Sequence, residues 1–141
     1  MRRQWSRGFT LIELLVVVVI LSILAAVIVP RLTGRTEKAR RAKAEADIAT
    51  LVNLLEQFHL DMSRYPTTRE GLAALRHRPE QGGERWQGPY LHKDVANDPW
   101  GHPYAYTCPG IQNPDEYDLA SYGRDGKEGG EGDDADTVSW R

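Results

Sequence analysis

The sequence predicts an α+β chain in which one long N-terminal helix carries a small antiparallel β-sheet. Residues 9–29 are apolar except for Thr10, Glu13 and Ser22. Further on, Ile48, Leu51, Leu55, Phe58 and Met62 recur at steps of three and four, with Val52 and His59 beside them, which draws one apolar stripe along a helix. Two short aromatic or alternating segments then follow, 104–108 and 117–122, joined by a turn region of Pro, Gly and Asn. That is the pattern of two paired strands, and a small sheet is the natural cover for the helix stripe.

At 1.5 Å rise per residue, residues 9–29 span about 30 Å, the thickness of a bilayer's hydrocarbon. A secretory signal peptide is the competing reading, because Arg2, Arg3 and Arg7 form a basic leader. Three features oppose it: the apolar run is longer than a signal's core, it contains Glu13, and no A-x-A-like site follows, since Ile23 stands two before Ala25 and Leu24 two before Ala26. The segment is expected to stay in the mature chain. Glu13 then needs a reason, because an acid in a membrane segment costs about 2.5–3.5 kcal/mol on insertion scales. From the residues alone it reads either as a functional carboxylate or as one that snorkels from the helix end to the headgroups.

Beyond the apolar run, Ala39, Ala42, Ala44, Ala46 and Ala49 favour helix without adding bulk. One helix is therefore expected from residue 9 to about residue 62, interrupted at Pro30, where a backbone bond is lost and a kink or local melting is expected. The basic residues Arg31, Arg35, Lys38, Arg40, Arg41 and Lys43 alternate with Glu37, Glu45 and Asp47, so they read as a solvated, salt-bridged face. The net charge of −2 over 141 residues likewise gives no sign of nucleic-acid binding. Pro66 biases Tyr65 toward extended geometry, and Thr67 or Thr68 caps a short second helix over about residues 70–77. Pro79, Gly82, Gly83, Gly88 and Pro89 then mark loop. Cys108 is the only cysteine, so no disulfide forms within the chain, and it reads as a small buried hydrophobe.

The C-terminal stretch has chemistry of its own. Asp125, Glu128, Glu131, Asp133, Asp134 and Asp136 crowd together, with Gly126, Gly129, Gly130 and Gly132 between them. Such a loop reads as a hard-cation site or as a solvated acidic loop. It is no EF-hand, because Lys127 and Gly129 stand at the third and fifth positions counted from Asp125. Catalysis is not expected. There is no H-E-x-x-H, no G-x-S-x-G and no phosphate-binding glycine loop, and His59, His77, His92 and His102 are scattered. Trp86, Trp100 and the tyrosines read as packing or interface residues.

Gly8-Phe9-Thr10-Leu11-Ile12-Glu13 followed by an apolar helix resembles the leader of type IV pilins and pseudopilins. Four further segments are similar to the major pseudopilin of type II secretion systems over nearly the whole chain. They are Tyr65-Pro66-Thr67-Thr68 with Glu70-Gly71-Leu72, Gly88-Pro89-Tyr90-Leu91, Asp98-Pro99-Trp100-Gly101-His102-Pro103-Tyr104, and the run from Gly123 through Asp136. His102 stands where that family often has Asn.

The resemblance implies a pilin-like fold with the following organisation. Residues 1–8 are a cytoplasmic leader, removed between Gly8 and Phe9 by a prepilin peptidase that also methylates Phe9. Residues 9–30 are the transmembrane half of the helix, 31–62 its periplasmic half, and 63–141 a periplasmic domain on the inner membrane. It implies a non-enzymatic structural subunit that self-assembles into a helical fibre and exports folded proteins, with minor pseudopilins, an inner-membrane assembly platform and an outer-membrane channel as partners. Glu13 would pair with the N-terminus of a neighbouring subunit, offsetting the burial cost of both charges. Calcium would sit in the acidic loop, with Asp125, Asp133 and Asp134 as side-chain ligands and a carbonyl near Tyr122 as backbone ligand. It would serve as a staple in place of the disulfide that typical type IV pilins form. The alternatives are a type IV pilin, a minor pseudopilin, or a membrane-tethered calcium-binding module.

Overall fold

The computed structural model describes residues 9–140; within them, the side chains at 26–35 are not described. Helix α1 spans Leu11–Met62, and strands β1 (Ala105–Thr107), β2 (Asp118–Ser121) and β3 (Thr137–Val138) form an antiparallel sheet in the order β1-β2-β3. Two compact units divide the chain, residues 1–37 and 38–141.

In the first unit the start of α1 is fixed by a reciprocal cap. Glu13 Oε2 accepts hydrogen bonds from the Thr10 backbone N–H and the Thr10 hydroxyl, both at 2.9 Å, while the Glu13 N–H donates to Thr10 Oγ1 at 3.2 Å. This is a capping box, in which Thr and Glu three residues apart satisfy each other's backbone donors. The apolar side chains that follow have no comparable cover: Phe9 and Leu11 are 83% exposed, and Val19 is still 48% exposed. The expected interruption at Pro30 does not end the helix, which is continuous from Leu11 to Met62. One missing N–H removes a single rung of a long ladder, and a helix this long survives it.

The second unit is built on the stripe that the periodicity predicts. Ile48, Leu51, Leu55, Phe58 and Met62 are all buried, and they form one core with Ala74, Leu75, Tyr117 and Leu119. Between β1 and β2, Tyr106 faces Leu119 and Thr107 faces Asp118. Strand alternation sends Leu119 to the core and leaves Ala105, Thr107, Asp118, Ala120 and Val138 on the other face. That face is covered as well, because all four residues of β2 are buried. The Asp118 carboxylate accepts from the N–H groups of Ile111, Gln112 and Asn113 at 2.6, 2.8 and 3.0 Å, folding the β1–β2 connection back over the sheet. Strand β3, not foreseen in the sequence, closes the far edge.

The short second helix is a 3₁₀ helix over Gly71–Leu75, shorter and tighter than the expected helix over 70–77. A second capping box precedes it: Glu70 Oε2 accepts from Thr67 N–H at 2.8 Å and from Thr67 Oγ1 at 3.0 Å, and Glu70 N–H returns to Thr67 Oγ1 at 3.3 Å. Arg64 adds a two-pronged pair to the same carboxylate, at 2.7 and 2.8 Å, and these bonds hold the Glu70 carboxyl down at about 2. The tyrosines and Trp86 act as packing residues with polar ends: Trp86 Nε1 donates to Ala74 O, Tyr90 to Asp61, Tyr104 to Asp47 and Tyr106 to Pro66 O. His59 is half-buried and stacked on Tyr65. Cys108, half-buried, packs against the core, and its thiol donates to Glu116 O at 3.4 Å.

Candidate functional site: the N-terminal segment and the acidic loop

Two regions carry the expected site residues. In the N-terminal segment, Gly8 lies outside the described residues, and Phe9 precedes the first turn of α1 as an exposed residue. The Glu13 carboxylate is engaged by Thr10 rather than standing alone. Reasoning on membrane cost missed this partner, although Thr-x-x-Glu ahead of an apolar run is a sequence signature of a helix start. Among the described residues no helix is long and apolar enough to cross a membrane. The expected span 9–30 includes positions 26–30, whose side chains are not described.

The acidic loop begins where β2 ends. Tyr122 follows the strand, Gly123 turns the chain, and the short 3₁₀ turn Gly132–Asp134 leads into β3. Glycine is required at 130, where φ is +93° and a Cβ would stand 2.5 Å from the Asp134 carbonyl oxygen. The backbone at 130 thus lies directly against the carbonyl that follows Asp133, drawing the two limbs of the loop together.

The four expected ligands are placed as follows. Asp125 Oδ1 accepts from the Lys127 N–H at 3.1 Å, a local turn bond. Asp134 receives the Arg124 guanidinium at both oxygens, from Nε at 2.8 Å and Nη2 at 3.3 Å. Asp133 lies 3.8 Å from the same guanidinium. Tyr122 is half-buried and lines a cavity of about 290 Å³ on the outer face of the sheet, together with Glu128, Gly129, Asp136 and Trp140. Asp133 and Asp134 therefore come together, through Arg124, and Asp125 is not among them. Among the described residues no three His, Cys, Asp or Glu side chains converge as they would around a metal ion.

Three residues of this region were not anticipated. Arg41, on α1, donates from Nη2 to the Gly132 carbonyl, and also to the Ala135 carbonyl at 3.4 Å. Arg124 bridges the aspartates. His102 Nδ1 sits 3.1 Å from the Gly123 carbonyl oxygen, and its ring packs where a Cβ at position 126 would fall. Asp136, a member of the acidic run in the sequence, accepts at Oδ2 from Gly129 N–H at 2.7 Å, while its Oδ1 is buried with no hydrogen-bond partner among the described residues.

Comparison with known proteins resolves what such a chain is. Residues 31–140 match the family described as type II secretion system (T2SS), protein G, and residues 6–29 match the prokaryotic N-terminal methylation motif. The chain belongs to the type II secretion system protein G family. The core protein G of Pseudomonas aeruginosa is 44% identical, with 99% of each chain covered, and that of Vibrio cholerae is 47% identical, with 99% of this chain and 94% of the relative covered. The crystal structure of the major pseudopilin of enterohaemorrhagic Escherichia coli superposes with a TM-score of 0.60 at 33% identity, over 80% of this chain and 96% of that one. This protein G chain is accordingly a structural pseudopilin of a type II secretion system and not an enzyme. The methylation motif covers Gly8, Phe9 and Glu13 together, and the α+β architecture agrees with the pseudopilin neighbour.

Proposed function

We propose that this pseudopilin is the repeating subunit of a periplasmic fibre, assembled through the apolar first part of α1, that drives folded proteins out across the outer membrane. The observation that carries the reading is the uncovered apolar surface of this segment: the large apolar side chains from Phe9 through Leu24 are 48–83% exposed within the chain, at a cost of about 25 cal/mol per Å² left in water. Lipid covers that surface before assembly, and neighbouring helices cover it afterwards. In this reading residues 9–30 cross the inner membrane, the leader is cut after Gly8 by the prepilin peptidase, which methylates Phe9, and residues 31–141 stand in the periplasm. Minor pseudopilins, the inner-membrane platform and the outer-membrane channel are the partners. Removing the gene from its host should abolish secretion, and returning the full chain should restore both secretion and fibres visible by electron microscopy. Secretion unaffected by the deletion would exclude the reading.

Within the fibre subunit we assign the acidic loop to calcium. The donor types are those a hard cation takes, since the carboxylates of Asp125, Asp133 and Asp134 and the carbonyl near Tyr122 supply oxygens only; the three carboxylates do not converge in this structure, so binding would have to draw them together in a loop that glycines leave adaptable. When bound, calcium supplies charge neutralisation and a multi-oxygen cross-link. The chain's own residues do the rest, with Gly130 permitting the close approach of the loop's limbs and β3 returning the chain to the sheet.

A further inference from the structure

We infer that Arg41 is a clasp that straps the returning limb of the acidic loop, and with it β3, to α1, and that it holds the C-terminal segment in place with no metal ion bound. The inference goes beyond the fibre and calcium readings and needs neither. By sequence Arg41 belongs to a solvated, salt-bridged face. In the structure it is half-buried, and its guanidinium is engaged by backbone. One nitrogen, Nη2, donates to the carbonyls of Gly132 and Ala135, which stand 91 and 94 residues further along the chain.

The two carbonyls bracket the 3₁₀ turn Gly132–Asp134, whose closing bond runs from the Ala135 N–H to the same Gly132 oxygen at 3.4 Å. A carbonyl has two lone pairs, so Gly132 can close the turn and receive Arg41 at once. Directly after the turn the backbone at Ala135 is extended and leads into β3. That strand is two residues long. It is held by its pairing with Ala120 and Ser121 and by Ser139, whose N–H donates to Leu119 O at 2.9 Å and whose Oγ accepts from the Leu119 N–H at 3.1 Å. So short an element, at the edge of the sheet and entered from an irregular limb, is of the kind that opens locally before the rest of a domain. Its side toward α1 is not packed shut: Arg41 and Glu45 on α1, with Asp136, Thr137 and Val138 opposite, line a cavity of about 280 Å³. Arg41 supplies there, by hydrogen bonding, the hold that packing leaves out. Its charge strengthens both bonds, and it acts on a limb whose Glu131, Asp133 and Asp134 would otherwise repel one another.

The test is hydrogen–deuterium exchange read by mass spectrometry on the full chain in detergent and chelator, for the wild type, Arg41→Ala, Arg41→Lys and Lys38→Ala. Lys38 is an exposed cation on the same helix and controls for charge alone. Arg41→Ala should exchange about tenfold faster over residues 131–140, the loss of a charge-assisted bond to backbone, with residues 48–62 unchanged. Arg41→Lys keeps the charge without the guanidinium fork and should fall between, and Lys38→Ala should match the wild type. Wild-type exchange over 131–140 in Arg41→Ala would overturn the inference. So would equal acceleration over 48–62, which would make Arg41 a support of the helix, or equal acceleration in Lys38→Ala, which would make the effect one of net charge. A difference that appears with calcium and vanishes in chelator would overturn it too. The expected acceleration in chelator, with calcium without effect on any of the four proteins, would support the clasp while overturning the calcium reading.

Discussion

Ser121 donates a 2.6 Å hydrogen bond from Oγ to Asp98 Oδ2, joining the last residue of β2 to the loop before β1 through two side chains that are both buried. The other Asp98 oxygen accepts from the N–H groups of Trp100 at 3.1 Å and His102 at 2.8 Å. A single buried carboxylate therefore organises the turn that presents His102 to Gly123, at the mouth of the acidic loop.

Asp98→Ala should leave the Ser121 hydroxyl and two backbone donors without acceptors, at about 1–3 kcal/mol for each buried group that finds no water. A loss of at least about 3 kcal/mol is expected in the thermal stability of the full chain. Asp98→Asn retains the oxygen that serves Trp100 and His102 and offers Ser121 an N–H to accept, so it should cost less. Equal losses from Ala and Asn would mean that burial, not the bonding pattern, decides this site.

Glu70 gives the chain a pH dependence. Arg64 first, then Thr67, lowers its carboxyl from 4.5 to about 2 in the folded state. The folded state therefore prefers the ionised form, and this stabilisation is complete above about 4.5 and is lost as pH falls toward about 2. At neutral pH, Glu70→Gln should cost about 1–2 kcal/mol through its charge-assisted bonds. Melting curves across that acid window should show wild type and variant converging. A constant gap between them would place the effect outside this carboxylate's titration.

For processing, Gly8→Val should leave full-length precursor in the membrane, because a side chain there crowds the cleavage site. The wild-type chain should have an intact mass corresponding to N-methyl-Phe9 as its first residue. A mass matching cleavage after Ala25 or Ala26 would identify the segment as a secretory signal instead.

The capping box at Thr10 and Glu13 makes a sharper test of Glu13 than removal alone. Glu13→Gln keeps a side chain that can return to Thr10 but removes the charge, whereas Glu13→Val removes both. Both variants should insert and be cleaved, and if Glu13 pairs with the N-terminus of a neighbouring subunit, as the pseudopilin resemblance implies, both should fail to form fibres. Normal fibres from Glu13→Gln with none from Glu13→Val would assign Glu13 to helix capping alone.

Calcium should raise the melting temperature of the full chain more than magnesium does, and Asp125→Ala or Asp133→Ala should remove that response without affecting cleavage at Gly8. At a hundredfold excess over Kd the expected stabilisation is about 2.7 kcal/mol. Identical melting of the wild type with calcium and with chelator would return the loop to a solvated acidic segment.

Local repetition and motif carry what is legible in the chain before it folds. The three- and four-residue spacing of Ile48, Leu51, Leu55, Phe58 and Met62 names the buried face of α1, because helical period alone decides which side chains share a side. The alternation at 104–108 and 117–122 likewise located β1 and β2 to within a residue or two, and the leader and loop motifs pointed to the pseudopilin family. Strand β3 was illegible because two residues carry no periodicity; they become a strand only by pairing with Ala120 and Ser121. The helix expected over 70–77 is only a 3₁₀ turn over Gly71–Leu75, and Gly71, at φ +58°, stands outside helical backbone. The partners of the acidic loop come from folding alone. Asp134 meets Arg124 ten residues away, and the Gly132 carbonyl meets Arg41 ninety-one residues away. Charge identity is written in the chain, but which opposite charge lies within hydrogen-bonding reach is set by how the backbone returns upon itself.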